Sequence, residues 1–134
     1  MSDISFSISL RIWHPTDSAS SVVNAIGREP RFAHSVGDDR QTRDGRPLSG
    51  KYRETYCSFV LREKVIGHFD DVIGELIEES SHLQDAFARV RAAGGRCELF
   101  VGLFVEGSFG FIVSASDQLR LGALGLDLAV DVHL

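Results

Sequence analysis

Along the first strand-like stretch, Ile4, Phe6, Ile8, Leu10 and Ile12 alternate with Ser5, Ser7, Ser9, Arg11 and Trp13. A period of two predicts a β-strand with one buried face. His14-Pro15 ends it, because proline supplies no ladder donor. Thr16, Asp17 or Ser18 is placed to cap a helix, in which Ala19, Val22, Val23 and Ile26 form one apolar stripe. Gly27 fits the left-handed position past that helix and Pro30 blocks its continuation. Residues 31–36 predict a short strand anchored by Phe32. Val36 to Gly50, broken by Gly37, Gly45 and Pro47, reads as a long loop. Such a loop in a small domain is either functional or mobile.

Strand character returns over residues 52–61, with Cys57, Phe59 and Leu61 on one face. Phe69, Val72, Ile73, Leu76 and Ile77 then make a second helical stripe, and Leu83, Ala86, Phe87 and Val90 continue it. Ser81 to Gln84 has the spacing of a capping box, so two helices with a kink are expected. Cys97, Leu99, Val101, Leu103 and Val105 share a strand face opposite Phe100, Gly102 and Phe104. Glu106-Gly107-Ser108 predicts a hairpin turn into a strand over Phe109, Phe111 and Val113. Ser116 would cap a short helix closed by Gly125, and Leu126, Leu128, Val130 and Val132 mark the last strand. The expected order is β-α-β-β-α-α-β-β-α-β over a single domain spanning residues 1–134. That is an α+β fold, an antiparallel-rich sheet with helices packed on one face, ferredoxin-like or a variant of it. The polar second faces of the first and last strands leave the other side of the sheet partly open.

Composition changes this picture little. At 134 residues, with 25% charged and 43% hydrophobic positions, the chain suits one globular core. No apolar run is long enough to cross a bilayer, and Met1-Ser2-Asp3 lacks the pattern of a signal peptide. Cys57 and Cys97 lie in strand-like segments, and reduced, buried thiols are expected ahead of a disulfide. The cytoplasm is the expected compartment, with no membrane partner. Charge is more informative. The net value of −5 argues against a nucleic-acid partner, yet residues 28–64 carry nine Lys/Arg against six Asp/Glu and residues 65–134 carry four against eleven. Either the two parts pair with each other, or the basic segment meets an acidic partner.

Searching for chemistry excludes more than it finds. There is no nucleophile elbow, phosphate-binding loop or His-Glu-x-x-His motif, and the histidines at 14, 34, 68, 82 and 133 show no ligand spacing. No catalytic residue, metal or cofactor is expected. His34 and Asp38 are the least poor acid–base pair. Two features bear on binding. Arg40, Arg43, Arg46 and Arg53 crowd the basic loop, where guanidinium groups suit carboxylate or phosphate; the plainer reading is a solvated charged loop. Trp13, Tyr56, Phe100 and Phe104 fall where the open sheet face would gather them, a composition common in interfaces; a loop or a second subunit covering them reads equally well.

Read as a whole, the chain resembles the bacterial family of domains of unknown function numbered 4279. The carriers are the strand end Ile12-Trp13-His14-Pro15, the helix end Ile26-Gly27-Arg28-Glu29-Pro30, Val36-Gly37-Asp38, the loop through Asp44-Gly45, the segment Tyr52 to Phe59, and the closing Leu124-Gly125-Leu126-Asp127-Leu128. Cys57 stands where the family often has tryptophan, and His133-Leu134 where it has an aromatic residue. The resemblance implies an α+β fold with no assigned activity and no catalytic residues. Small acidic bacterial domains of this kind look like immunity proteins, which neutralise a toxin by binding it. The first functional reading is therefore a non-catalytic protein-binding module. The second is a small-anion or small-ligand binding protein, or an enzyme, with a site between the Arg-rich loop and the sheet. A homodimer built through the exposed sheet is the third.

Overall fold

The computed structural model describes residues 4–134; Met1-Ser2-Asp3, the stretch without a signal-peptide pattern, lies outside them. The opening alternation forms β1 (Ile4–His14), with Phe6, Ile8, Leu10 and Ile12 buried and the serines, Arg11 and Trp13 turned the other way. Then follow α1 (Ala19–Ile26), β2 (Phe32–His34), β3 (Asp39–Gln41), β4 (Pro47–Lys51) and β5 (Thr55–Gly67). The second half holds α2 (Phe69–Ser80), a 3-10 turn (Ser81–Leu83), α3 (Gln84–Ala92), β6 (Arg96–Phe104), α4 (Ala115–Leu124) and β7 (Leu126–His133). The main sheet has the order β2-β5-β1-β6-β7, and β3 pairs with β4 in a separate two-stranded ladder. All pairings are antiparallel except β6 with β7, which run parallel through the α4 crossover. The fold is α+β, consistent with a ferredoxin-like variant.

The core lies between the sheet and the helices. Val22 and Ile26 of α1, Phe69, Ile73, Leu76 and Ile77 of α2, Phe87 and Val90 of α3, and Leu121 and Leu124 of α4 all join the inward residues of β1, β5 and β6. Burying each such side chain contributes roughly 1.5–3 kcal/mol. Ser18 caps α1 by accepting from the Ser21 amide, and Gly27 and Gly125 close α1 and α4 in the left-handed conformation that glycine adopts without Cβ strain. Arg120 reaches from α4 to Glu78 of α2 at 2.7 Å.

Five local expectations are corrected. The segment after residue 36 is not all loop: Asp39–Gln41 and Pro47–Lys51 pair, held by a Lys51–Asp39 ion pair at 2.6 Å and the Arg46 amide on Thr42 Oγ1. No strand forms over Phe109, Phe111 and Val113. Both edges of β6 are already taken, by β1 and β7, so a hairpin partner has nowhere to pair. These residues instead pack partly buried, with Phe111 edge-on to Phe69 at 4.8 Å. Ser114, not Ser116, caps α4. Ser81 caps nothing: its hydroxyl donates back to the Glu78 carbonyl, and a 3-10 turn makes the kink between α2 and α3. Phe32 does not anchor β2 in the core but is 38% exposed on the opposite face.

The fifth strand also runs past residue 61. Bulges in its pairing with β1 shift the register around Arg62, and Lys64 adopts φ 48°. The shift turns Arg62 toward α2, where it meets Glu79 at 2.7 Å and Glu75 at 3.6 Å. The hydrogen bond from Arg62 holds the Glu79 carboxyl below its ordinary value.

Candidate binding face

Strand register lays out the open side of the sheet. One row across it runs Phe32, Ser58, Arg11, Glu98 and Asp127; the next runs His34, Tyr56, Trp13 and Arg96. Phe100 follows on the other side of Arg11, opposite Ser9. Parity thus gathers Trp13, Tyr56 and Phe100 from three neighbouring strands around one arginine, because residues two apart share a face.

Arg11 is the hub. Its Nε donates to Tyr56 Oη at 3.1 Å, and Nη1 lies 3.5 Å from the Glu98 carboxylate. Its guanidinium carbon sits 4.3 Å from the Phe100 ring centre and 5.3 Å from that of Trp13. Trp13 is flanked by Tyr56 at 5.3 Å and carries the Arg96 guanidinium over its ring at 4.0 Å. Each such cation–aromatic contact contributes about 0.5–1 kcal/mol at an exposed site and more when dry. The Arg11 side chain retains 28% exposure, so its charge is restrained yet reachable.

The basic segment divides. Arg43 reaches the face, its guanidinium 4.6 Å over the Phe32 ring. With Arg31, Tyr56 and Phe100 it borders a shallow groove of about 430 Å³. Arg40 and Arg46 do not reach it: Arg40 donates to the Ser49 carbonyl, and Arg46 pairs with Asp44 inside the β3–β4 hairpin. Arg53 is exposed in the link from that hairpin to β5. Phe104 is also apart, at the far end of the sheet and stacked on His133 at 4.9 Å.

Residues beside the patch anchor the strands that carry it. Tyr52 stacks on His34 at 3.4 Å and 9°, and its hydroxyl donates to the Gln41 carbonyl, tying the hairpin to the sheet edge. His14, buried at the end of β1, accepts the Thr16 and Asp17 amides at Nδ1. Thr55 donates to the Asp17 carbonyl and accepts the Val36 amide. These bonds fix the chain where β1, β2 and β5 present their aromatic side chains.

Burial lowers the His34 pKa below 6.5, against a hydrogen bond to the Glu54 backbone and the charges of Asp38 and Glu54. Asp38 is occupied in a turn, accepting the Ser35 amide. Among the described residues, no group of three or more His, Cys, Asp and Glu side chains converges to hold a metal ion. Cys57 and Cys97 are free and buried, and flank Ile12 from the two sides. Two strand spacings, about 9.5 Å, separate them, beyond disulfide reach. Burial pushes their thiols up to about 11 and about 12.

Sequence reading found Trp13, Tyr56 and Phe100 but missed Arg11, Arg96, Glu98 and Tyr52. Parity puts the first three on the same strand faces as the aromatic residues, Arg11 with Trp13 and Arg96 and Glu98 with Phe100, without showing that they touch. No helix among the described residues is long and apolar enough to cross a membrane. Comparison of the chain with protein-family models, curated proteins and solved structures finds no match, so the reading of this face rests on its own geometry.

Proposed function

We propose that the protein is a non-catalytic binding module that docks an acidic protein partner on the open face of its sheet. The observation that carries this reading is Arg11, restrained by Tyr56 and Glu98 between Trp13 and Phe100 on a face that no helix covers. Aromatic residues and arginine dominate binding hot spots, since they combine large apolar area with directed polar contact. Arg43 and Arg96 add positive charge around that centre in a chain whose net charge is −5, while Arg31 is paired with Glu63 at 3.2 Å; the two added charges favour acidic side chains opposite them. Neutralising a toxin by occupying its surface is the form of this reading that the family resemblance suggests.

A second reading has its own support. The Arg43 guanidinium over Phe32, beside Arg31 and the groove, suits one carboxylate or phosphate on a planar small molecule. Affinity capture from the native organism separates the two. Wild-type bait should retain a protein that Trp13→Ala bait does not. Equal capture by both baits, or quenching of Trp13 fluorescence by a low-mass fraction alone, would reject the protein-docking reading.

A further inference from the structure

We infer that the outer edge of β7 is a self-pairing edge, through which two copies of the chain join antiparallel about Val130. The inference is independent of the open-face reading, because an edge partner leaves that face uncovered.

β7 ends the sheet, so its eight residues have an outer edge that no strand pairs, buried at Leu126 and exposed from Val130 onward. The opposite edge, β2, has only three residues. Natural sheets blunt long edges with proline, lysine, bulges or covering loops. Leu126–His133 contains neither proline nor lysine, its charged residues being Asp127 and Asp131, and its pairing with β6 is regular from end to end. Which backbone groups point outward follows from one bond: the His133 carbonyl accepts the Val105 amide, so His133 faces β6. In extended chain, alternate residues face alternate sides. Asp127, Ala129 and Asp131 therefore also face β6, and Leu126, Leu128, Val130 and Val132 present their amides and carbonyls outward. Those same residues carry the side chains on the helix side, where Val130 is 37% and Val132 47% exposed.

Charge then selects the register. An axis through Ala129 would set Asp127 against the partner's Asp131, and an axis through Asp131 would set that residue against its own copy. Like charges directly opposite destabilise a pair. An axis through Val130 avoids both. It places Asp127 opposite the partner's His133, Leu128 opposite the partner's Val132, and Val130 opposite the partner's Val130. It also uses the strand from Leu126 to Leu134. Shifting the axis further, to Leu128 or Val132, shortens the paired stretch at one end. A second copy of this chain thus fits the edge in hydrogen bonding, apolar matching and charge at one register. The two sheets then run on as one, with both open faces on the same side.

The test uses the full chain. Sedimentation velocity of the wild type from about 1 to 200 μM should show monomer passing to dimer, as expected of an interface below the standard stable size. Val130→Lys should shift the midpoint at least tenfold, with an unchanged melting temperature showing that the fold survives. Val130→Cys sets the two substituted residues opposite each other across the axis with Cα atoms about 5.5 Å apart, and a short bismaleimide should couple their thiols. Val132→Cys places its two thiols roughly four strand residues, or 14 Å, apart and should remain uncoupled. A wild type monomeric throughout, a dimer indifferent to Val130→Lys, or Val132→Cys coupling as readily as Val130→Cys would each overturn the inference.

Discussion

Gly95→Ala is the substitution whose cost reads most directly from the packing beneath the binding face. Gly95 lies between α3 and β6, and its amide donates to the Val90 carbonyl at 2.9 Å. A methyl added there would fall under 3.0 Å from the Trp13 carbonyl oxygen, 2.8 Å from Val90 Cγ1 and 3.1 Å from the Val90 carbonyl oxygen. Val90 Cγ1 can rotate aside, but the Trp13 carbonyl belongs to β1, clamped between β5 and β6. Relief therefore means moving the backbone of the central strand. Overpacking costs typically 1–3 kcal/mol, and the upper end, about 3 kcal/mol, is expected where backbone must move. For a chain of this length that lowers the melting temperature by roughly 10 °C. Thermal and urea unfolding measure the loss. Trp13, the sole tryptophan, reports at the same time, and its emission should shift because its own backbone is displaced. A loss below about 0.5 kcal/mol with unchanged emission would refute the close approach and the strand placement built on it.

Leu76, 1% exposed on α2, should lose about 2–5 kcal/mol on replacement by alanine; a urea titration showing under about 1 kcal/mol would mean that its helix face is misassigned. Because burial depresses the folded His34 pKa, its share of stability is present above 6.5 and is lost as pH falls through the folded value. Melting temperature between pH 8 and pH 5 should thus fall less for His34→Gln than for wild type, and parallel curves would exclude that contribution. Cys57 and Cys97, with thiols pushed up to about 11 and about 12, should resist a thiol reagent at pH 8 until the protein unfolds. Modification of the native protein at the rate of free cysteine would contradict their burial.

The elements legible in the sequence are those whose pattern matches a packing surface. Period two in β1 and β6 and the stripes of α1, α2 and α3 have their apolar residues at the sheet–helix boundary, though in α1 Val22 is buried and Val23 only partly so. What escaped depends on partners distant in sequence. Phe109, Phe111 and Val113 alternate like a strand, but pairing is decided by whether β6 has a free edge, and β7 from the end of the chain already occupies it. The hairpin of β3 and β4 has no apolar face to betray it, since all its strand residues are exposed. Parity separated the two sides of each strand, and so located Trp13, Tyr56 and Phe100. It did not reveal that Arg11 joins them, because a charged residue on an open strand face reads as solvated until its neighbours across two strands are known. The basic loop was legible as charge only. That Arg43 reaches the face while Arg40 and Arg46 serve the hairpin follows from its turn geometry.

The measurement that bears most directly on the open face is the affinity of the captured acidic partner for a small set of variants at low and high salt. Arg11→Ala removes the hub, Arg43→Glu reverses a charge at the groove, and Arg46→Glu reverses one already spent on Asp44 inside the hairpin. The account predicts at least tenfold weaker binding for Arg11→Ala and Arg43→Glu. Arg43→Glu should also flatten the salt dependence, as expected when an interfacial charge is lost, while Arg46→Glu binds like wild type. Equal affinity for Arg11→Ala and wild type, or a loss confined to Arg46→Glu, would contradict the claim that the partner docks on this face.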